Sequence, residues 1–103
     1  MAKRIIMYNL APNVTHEEFK EYVQTDKGPL INRLPSVKKY ELVKISSSMP
    51  PGNIPYQYVG IIHLTSVEDF NNKDAKKPEY QKFLKNFGPM VTDMVMLAGD
   101  EIY

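Results

Sequence analysis

A weak internal repeat is the feature that most restricts how this chain can fold. Residues 4–10 (RIIMYNL) form an apolar run of the kind found in strands, and 15–19 (THEEF) follow with a helix cap, acidic residues and an aromatic. Residues 58–64 (YVGIIHL) and 66–70 (SVEDF) repeat that order. A strand followed by a capped helix, present twice, indicates two copies of one structural unit.

The two halves also end alike, with a proline break before a further strand-like run. The breaks are at 34–35 (LP) and 88–89 (GP), and the runs are 37–45 (VKKYELVKI) and 94–102 (MVMLAGDEI). Strand, helix and strand, twice over, predict a ferredoxin-like βαββαβ fold of the α+β class, with a four-stranded antiparallel sheet and its helices on one face. The 103-residue length fits a single domain, residues 1–103.

Apolar side chains recur at helical spacing in both halves. The first helix carries Phe19, Tyr22 and Val23 before an interruption at 28–29 (GP). The second helix carries a single stripe of four residues: Tyr80, Phe83, Leu84 and Phe87. We expect both stripes to form core against the sheet.

The strands lack the alternation of apolar and polar residues that is typical of a sheet with one face exposed to solvent. Residues 5–8 (IIMY), 59–62 (VGII) and 94–98 (MVMLA) are apolar on both faces, whereas two helices cover only one. An apolar face of that extent is a liability in a monomer. We therefore predict a homodimer whose two sheets face each other as a dimeric α+β barrel; the alternative is a different partner on that face.

Composition excludes several classes of function. Thirteen basic residues oppose twelve acidic ones, a balance that does not favour a nucleic-acid partner. The absence of cysteine excludes disulfides and thiolate chemistry. No run approaches the roughly 20 apolar residues of a membrane span, so we expect a cytoplasmic protein without one. No phosphate-binding loop, dinucleotide fingerprint, zinc-protease motif or nucleophile elbow occurs, so we expect acid–base chemistry without cofactor or metal.

His63 is the strongest candidate for that chemistry. If Leu64 packs under the following helix, alternation puts Ile62 on the helix side and His63 and Ile61 on the other face, inside the predicted barrel. A lone imidazole in an apolar cavity can exchange protons near neutral pH. The alternative is a structural histidine, hydrogen-bonded across the dimer.

Other polar residues are weaker candidates. Tyr40 would place a phenol at the cavity rim, or would only pack within its strand. Asn9 would orient a substrate or satisfy the turn that follows it. Asp26 and Lys27 would supply a carboxylate and an ammonium at the cavity mouth, or end a solvated helix. His16, in a first helical turn, is predicted to lie at the surface.

Two further segments leave alternatives open. Residues 46–53 (SSSMPPGN) are predicted to form a flexible hairpin connection, with a lid as the alternative. Residues 5–23 resemble the start of an RNA-recognition motif, which shares the βαββαβ order. The stacking aromatic expected near the start of the first strand is Ile6 here, and 58–64 lack the basic-glycine-aromatic signature of such domains. An RNA-binding module is therefore the less favoured class.

Several stretches resemble the dimeric α+β barrel proteins, in the group with EthD-like proteins and muconolactone-type isomerases. They are IIMYNLAP, THEEF, DKGPLINRLPSVKKYEL, GIIHLTSVEDF and GDEIY. The chain is most similar to the RedY-like (HapK) branch, found with prodigiosin-type tripyrrole and related indole pathways. This resemblance implies a homodimer with one ligand cavity per subunit and no metal or organic cofactor.

The resemblance also implies roles for single residues. Tyr40 matches a functional tyrosine of the isomerases, whereas Lys27 stands where those relatives often have a histidine. We expect proton transfer, cyclisation or condensation of a small apolar or heteroaromatic metabolite in a pyrrole- or indole-type pathway such as prodigiosin biosynthesis. His63 would be the acid–base group, Tyr40 the polariser and Asp26 a second acid or base. The predicted substrate-lining residues are Tyr8, Asn9, Lys27 and Ile61. Alternatively, the protein holds a pathway intermediate without turning it over.

Overall fold

The computed structural model describes residues 2–103 and confirms the ferredoxin-like α+β fold. Its main elements are β1 (Ala2–Leu10), α1 (His16–Tyr22), α2 (Gly28–Arg33), β2 (Val37–Lys44), β3 (Tyr58–Leu64), α3 (Val67–Asn72), α4 (Pro78–Phe87) and β4 (Val91–Asp100). The four strands form one antiparallel sheet in the order β2-β3-β1-β4. Short 3₁₀ turns at Asp74–Lys76 and Gly88–Met90 lead into α4 and β4.

Both halves of the repeat have the predicted helix caps. The Thr15 side chain accepts from the Glu18 backbone N–H, and Glu18 reaches back to the cap, which completes a capping box at α1. Ser66 accepts from the Asp69 backbone N–H at the start of α3. The equivalent helices therefore start at equivalent positions behind the two central strands, β1 and β3.

The expected interruption at Gly28-Pro29 is instead a turn of π-helix, Val23–Lys27, that joins α1 to α2 without a break. The Gly28 backbone N–H donates to the carbonyl of Val23, five residues back, and Pro29 has no N–H to donate. A Cβ on Gly28 would stand 2.8 Å from that carbonyl oxygen, so the close approach requires glycine.

The π turn changes which side chain enters the core. In a regular α-helix, Asp26 follows Phe19 by seven residues and would lie on the same buried side. The extra residue in the wider turn puts Lys27 there instead. Lys27 is accordingly 3% exposed, and Asp26 is exposed to solvent.

The sheet buries the predicted side of β3 against the helices. Tyr58, Gly60, Ile62 and Leu64 are buried, and the intervening residues are half-buried on the other face, so the predicted alternation is confirmed. The apolar core between sheet and helices consists of Tyr8, Phe19, Ile31, Leu34, Val37, Tyr58, Ile62, Leu64, Phe70, Tyr80, Phe83 and Phe87.

The opposite side of the sheet, here called the open face, is covered by no helix in residues 2–103. Its apolar part is built from facing pairs on neighbouring strands: Ile5 with Ile61, Met7 with Val59, Ile5 with Leu97, Met7 with Val95, and Val43 with Val59. Val43 and Leu97 are 52% and 48% exposed. The end of this face near the start of β1 is polar and carries Lys3, His63 and Lys39.

The connection between β2 and β3 is irregular and exposed along residues 46–55. The Ile45 backbone N–H donates to the Gln57 carbonyl (2.8 Å), and this hydrogen bond joins the two ends of the connection. None of residues 46–53 lines either of the two cavities described below. Within residues 2–103, no helix has the length and apolar character needed to traverse a bilayer.

Candidate functional site

A buried amine lies at the centre of the helix-covered side of the sheet. The π turn directs Lys27 inward, where its Nζ donates to the hydroxyl oxygens of Tyr40 (2.7 Å) and Tyr8 (3.2 Å). Tyr8 comes from β1 and Tyr40 from β2, so two strands hold the phenols around one amine. We call Lys27, Tyr8 and Tyr40 the amine cluster.

Aromatic rings surround this amine. Its Nζ lies 4.4 Å from the ring centre of Phe87, and 5.1, 5.3 and 6.0 Å from those of Tyr40, Tyr8 and Phe19. These ring faces offer some stabilisation to an ammonium. No carboxylate pairs with Lys27 in the described chain, 2–103. Burial therefore penalises the charged form and lowers the pKa of Lys27 to about 7.

The two phenols of the cluster stay neutral at every physiological pH. Burial is the main cause that raises the pKa of both Tyr8 and Tyr40 well above the ordinary tyrosine value. An amine that gains or loses its proton near pH 7 thus sits between two neutral hydroxyl groups, each able to donate or accept a hydrogen bond. A pKa near the operating pH is a property that favours a group as a general acid or base.

Tyr40 also forms part of a surface depression, here called the outer cleft, between α1, the π turn and β2. Its volume is about 410 Å³, within the range of small-molecule sites. Its lining is mixed, with apolar and polar side chains from both helix and strand: His16, Phe19, Lys20, Val23, Gln24, Gly28, Asn32, Tyr40, Leu42, Lys44 and Tyr58.

A second acid–base pair lines the same cleft. His16 Nδ1 lies 2.5 Å from the Tyr58 hydroxyl oxygen, and the two rings stack with their centres 6.0 Å apart. His16 lies at the surface as predicted, but it is half-buried because it forms part of the wall of this depression. The signal was present in the sequence: His16 precedes the core residue Phe19 by three positions, which puts both on one side of α1.

Tyr40 separates the outer cleft from a smaller internal space, the inner cavity, of about 50 Å³. Lys27 and Tyr8 line its interior with core residues from the sheet and α4. Its rim is apolar and partly exposed and consists of Leu84, Met94 and Met96, at 37%, 44% and 45% exposure. The inner cavity therefore opens between α4 and β4, at the edge of the sheet away from the outer cleft.

His63 does not join either cavity. It lies on the open face, where its Nε2 is 2.8 Å from a carboxylate oxygen of Glu41 and its side chain is 18% exposed. That hydrogen bond is the main cause that lowers the pKa of Glu41. Tyr40 pairs with Ile62 on the helix-covered side, so the sheet separates Tyr40 from His63. Ile61 shares the open face with His63.

The remaining predicted site residues, Asn9 and Asp26, line neither the outer cleft nor the inner cavity. Asn9 donates to the Pro55 carbonyl (3.0 Å) and to Asp93 (3.2 Å), and it accepts from the Gln57 backbone N–H (2.8 Å). These bonds tie β1 to the segment before β3 and to β4, so the partners of Asn9 are distant in sequence and are not in the turn that follows it. The exposed Asp26 borders a shallow depression against α4, outside both cavities.

Of the predicted site residues, the structure brings together Tyr8, Lys27 and Tyr40. His63 and Ile61 lie across the sheet, and Asn9 and Asp26 lie apart from the amine cluster and from each other. Sequence reasoning missed the contribution of His16 and Tyr58 to the outer cleft.

Comparison with known proteins gives the family. No curated protein matches the chain. The model of the family described as REDY-like protein HapK matches residues 2–102. The crystal structure of HapK from Hahella chejuensis has a TM-score of 0.82 at 24% identity, covering 99% of this chain and 93% of that one.

Two other solved structures share the fold at lower identity. Hydroxynitrile lyase from Passiflora edulis has a TM-score of 0.80 at 19% identity, over 99% of this chain and 95% of that one. A dimeric ferredoxin-like protein of unknown function from Thermobifida fusca has a TM-score of 0.72 at 18% identity, over 97% and 90%. Because the family model spans nearly the whole described chain, the protein belongs to the REDY-like HapK family, as the resemblance predicted.

Proposed function

We propose that this protein binds a small aromatic or heteroaromatic metabolite in the outer cleft and catalyses a cofactor-independent proton transfer, cyclisation or condensation on it. One observation carries the proposal: the Tyr40 hydroxyl, in the wall of the cleft, is 2.7 Å from the buried Lys27 amine. A group that titrates near neutral pH is thereby linked by a hydrogen bond to a residue that borders the ligand space.

The two polar pairs have complementary parts in this proposal. Tyr40 donates a hydrogen bond to a carbonyl or ring nitrogen and exchanges the proton with Lys27 behind it. The His16–Tyr58 pair supplies or removes a proton at another point of the same ligand. The apolar wall contributed by Phe19, Val23 and Leu42 favours a flat, largely apolar ring system over a charged sugar or phosphate.

Family membership supports the metabolic setting. We place the reaction in a pyrrole- or indole-type pathway such as prodigiosin biosynthesis, because the chain belongs to the REDY-like HapK family and its resemblance to that branch implies such a pathway. One protein of the same fold is named a hydroxynitrile lyase, so this fold can carry catalysis. We assign acid–base chemistry to Lys27 and Tyr40 in place of the expected His63 and Asp26, which lie outside the cleft.

Binding of a probe tests where the ligand sits. Indole titrated into ¹⁵N-labelled protein is expected to shift the amide signals of cleft residues such as Gly28, Leu42 and Lys44 saturably. Gln24→Trp fills the cleft and should abolish those shifts. Glu21→Trp is the matched control, because it adds the same ring to an exposed position of α1 outside the cleft. Shifts confined to the open face, or unaltered by Gln24→Trp, would refute the assignment.

A second copy of the chain is the proposed occupant of the open face. Val43 and Leu97 leave an apolar surface there that a partner sheet would cover, and one solved neighbour is described as dimeric. Sedimentation equilibrium at micromolar concentration should give a dimer, which Leu97→Glu dissociates. Met49→Glu is the control, because Met49 is 97% exposed in the β2–β3 connection. A monomeric wild-type protein would contradict the proposed barrel.

The open face offers little to RNA. Nucleic-acid recognition by this type of sheet uses aromatic side chains on the two central strands for stacking with bases. The residues of β1 and β3 on this face are Ile5, Met7, Val59 and Ile61. Ile6, at the position where the sequence comparison expects the stacking aromatic, lies on the helix-covered side instead. The aliphatic character of the open-face residues favours a protein partner over single-stranded RNA.

A further inference from the structure

The inner cavity gives Lys27 a second kind of chemistry, distinct from proton exchange through Tyr40. Its Nζ is one of the few polar atoms in a space bounded otherwise by aliphatic and aromatic side chains. We propose that the Lys27 amine forms an imine with a small aldehyde or ketone that enters past Leu84, Met94 and Met96. The inference rests on the proposed function insofar as both make the amine cluster the reactive part of the molecule.

The size of the inner cavity selects the substrate class. A space of about 50 Å³ holds one or two waters, or the reacting end of a short carbonyl compound. Two of the three rim residues are methionines, whose unbranched side chains adapt to a guest. Their partial exposure, at 44% and 45%, makes the rim an entrance between α4 and β4. The apolar rim favours a neutral, apolar substituent on the carbonyl carbon.

The phenols are placed to handle the protons of imine formation. The neutral Lys27 nitrogen attacks the carbonyl carbon and a C–N bond forms, while the carbonyl oxygen takes a proton from Tyr40. The nitrogen returns a proton to the phenolate, which leaves a neutral carbinolamine. A second proton then goes to the hydroxyl by way of Tyr8 or Tyr40, the C–O bond breaks and water departs. Both amine protons end on that water, so no oxidant or reductant is needed.

Burial separates Lys27 from the other lysines of the chain. An ordinary lysine amine, with a pKa of about 10.4, is almost wholly protonated at pH 7 and therefore poorly nucleophilic. The absence of a carboxylate partner within the described chain, together with burial, shifts Lys27 towards the neutral form. Tyr8 from β1, Tyr40 from β2 and Tyr80 from α4 also face this cavity, and the pKa of each is raised by burial. None of them competes for protons near pH 7.

Reductive trapping with propanal tests the proposal. The wild-type protein is mixed at pH 7 with propanal and cyanoborohydride, and the propylated lysines are mapped by peptide mass spectrometry. We expect Lys27 to be modified at least about tenfold faster than any other lysine. Lys27→Met should remove that fast phase, and Lys85→Arg, on the exposed side of α4, should keep it. Propylation of surface lysines without propylation of Lys27 would overturn the proposal. This outcome is read from the wild-type protein, so the test remains valid even if Lys27→Met does not fold.

The outcomes of the two experiments are separable. Indole binding in the outer cleft with no trapping at Lys27 would refute the imine and leave the proposed function standing. Fast trapping at Lys27 without indole binding would support the imine and refute the outer cleft as the ligand site.

Discussion

Two ionisable clusters on opposite faces of the sheet differ in how charge is balanced. On the open face, His63 has Glu41 as a partner at 2.8 Å, and the pair is partly exposed to solvent. On the helix-covered face, Lys27 is nearly fully buried with two phenols and no carboxylate. The first arrangement is a partly exposed hydrogen-bonded pair, and such pairs contribute little to stability. The second retains the desolvation cost of a buried amine, a feature that is enriched at functional sites.

This contrast has a consequence for stability at different pH values. Lys27 has a folded pKa of about 7, below its unfolded value, so between these pH values the unfolded chain binds one proton more than the folded one. The free energy of unfolding should therefore rise as the pH increases from about 7 to the unfolded pKa of Lys27. This one group should contribute on the order of 4 kcal/mol to the rise. Below pH 7 both states are protonated and the full penalty is present.

The largest expected effect is the loss of that pH dependence in Lys27→Met. Methionine fills a similar volume without a charge, so the variant should be more stable than the wild type at pH 6, and the difference should shrink towards pH 10. Urea unfolding at several pH values measures this. His63→Gln is the comparison variant and should keep the wild-type slope above pH 7. Equal slopes in the wild type and Lys27→Met would break the distinction between the two faces.

The second effect concerns proton transfer. 5-Nitrobenzisoxazole, a heteroaromatic compound, opens its ring when a base removes a carbon-bound proton, and it serves as a cofactor-free probe. Lys27→Met should lower the protein-catalysed rate by roughly a hundredfold, the usual size for loss of a positioned acid–base group. The wild-type rate should rise through pH 7 as the amine is deprotonated. A loss of rate in His63→Gln, with Lys27→Met unaffected, would move the chemistry to the open face.

The third effect tests how the π turn positions the amine. Gly28→Ala brings a Cβ to 2.8 Å from the Val23 carbonyl oxygen, so we expect a loss of about 2 kcal/mol in stability and weaker indole binding. Gly52→Ala is the control, since its Cβ would meet no atom within 4 Å. Thermal unfolding of both variants measures the difference. Equal stabilities would show that the tight turn at Gly28 is not needed to direct Lys27 inward.

The sequence predicts the fold well because its information is local and repeated. Caps at Thr15 and Ser66, and alternation along β3, each depend on a few neighbouring residues, and all agree with one topology. The burial of Tyr58 and the half-burial of His63 follow from the same period of two. These expectations did not require knowledge of contacts between distant parts of the chain.

The site is less predictable from the sequence because it depends on the extra residue in the π turn and on the register between strands. A regular helix would direct Asp26 inward, and only the π turn replaces it by Lys27. The side on which Tyr40 lies is set by its pairing with Ile62, after a register shift between Val37 and Lys39. Neither feature is visible in the hydrophobic pattern of a single segment, so the sequence alone assigns Tyr40 and His63 to one site.

The pKa of the Lys27 amine is the most direct measure of the central claim that this buried group carries the chemistry. Protein labelled with ¹³C at the lysine ε-carbons can be titrated by NMR, with Lys27→Arg used to assign the signal. One lysine signal should titrate near pH 7, far below the rest, because burial without a carboxylate disfavours the ammonium. If every lysine titrates near the ordinary value of about 10.4, Lys27 is a conventional cation and the account is contradicted.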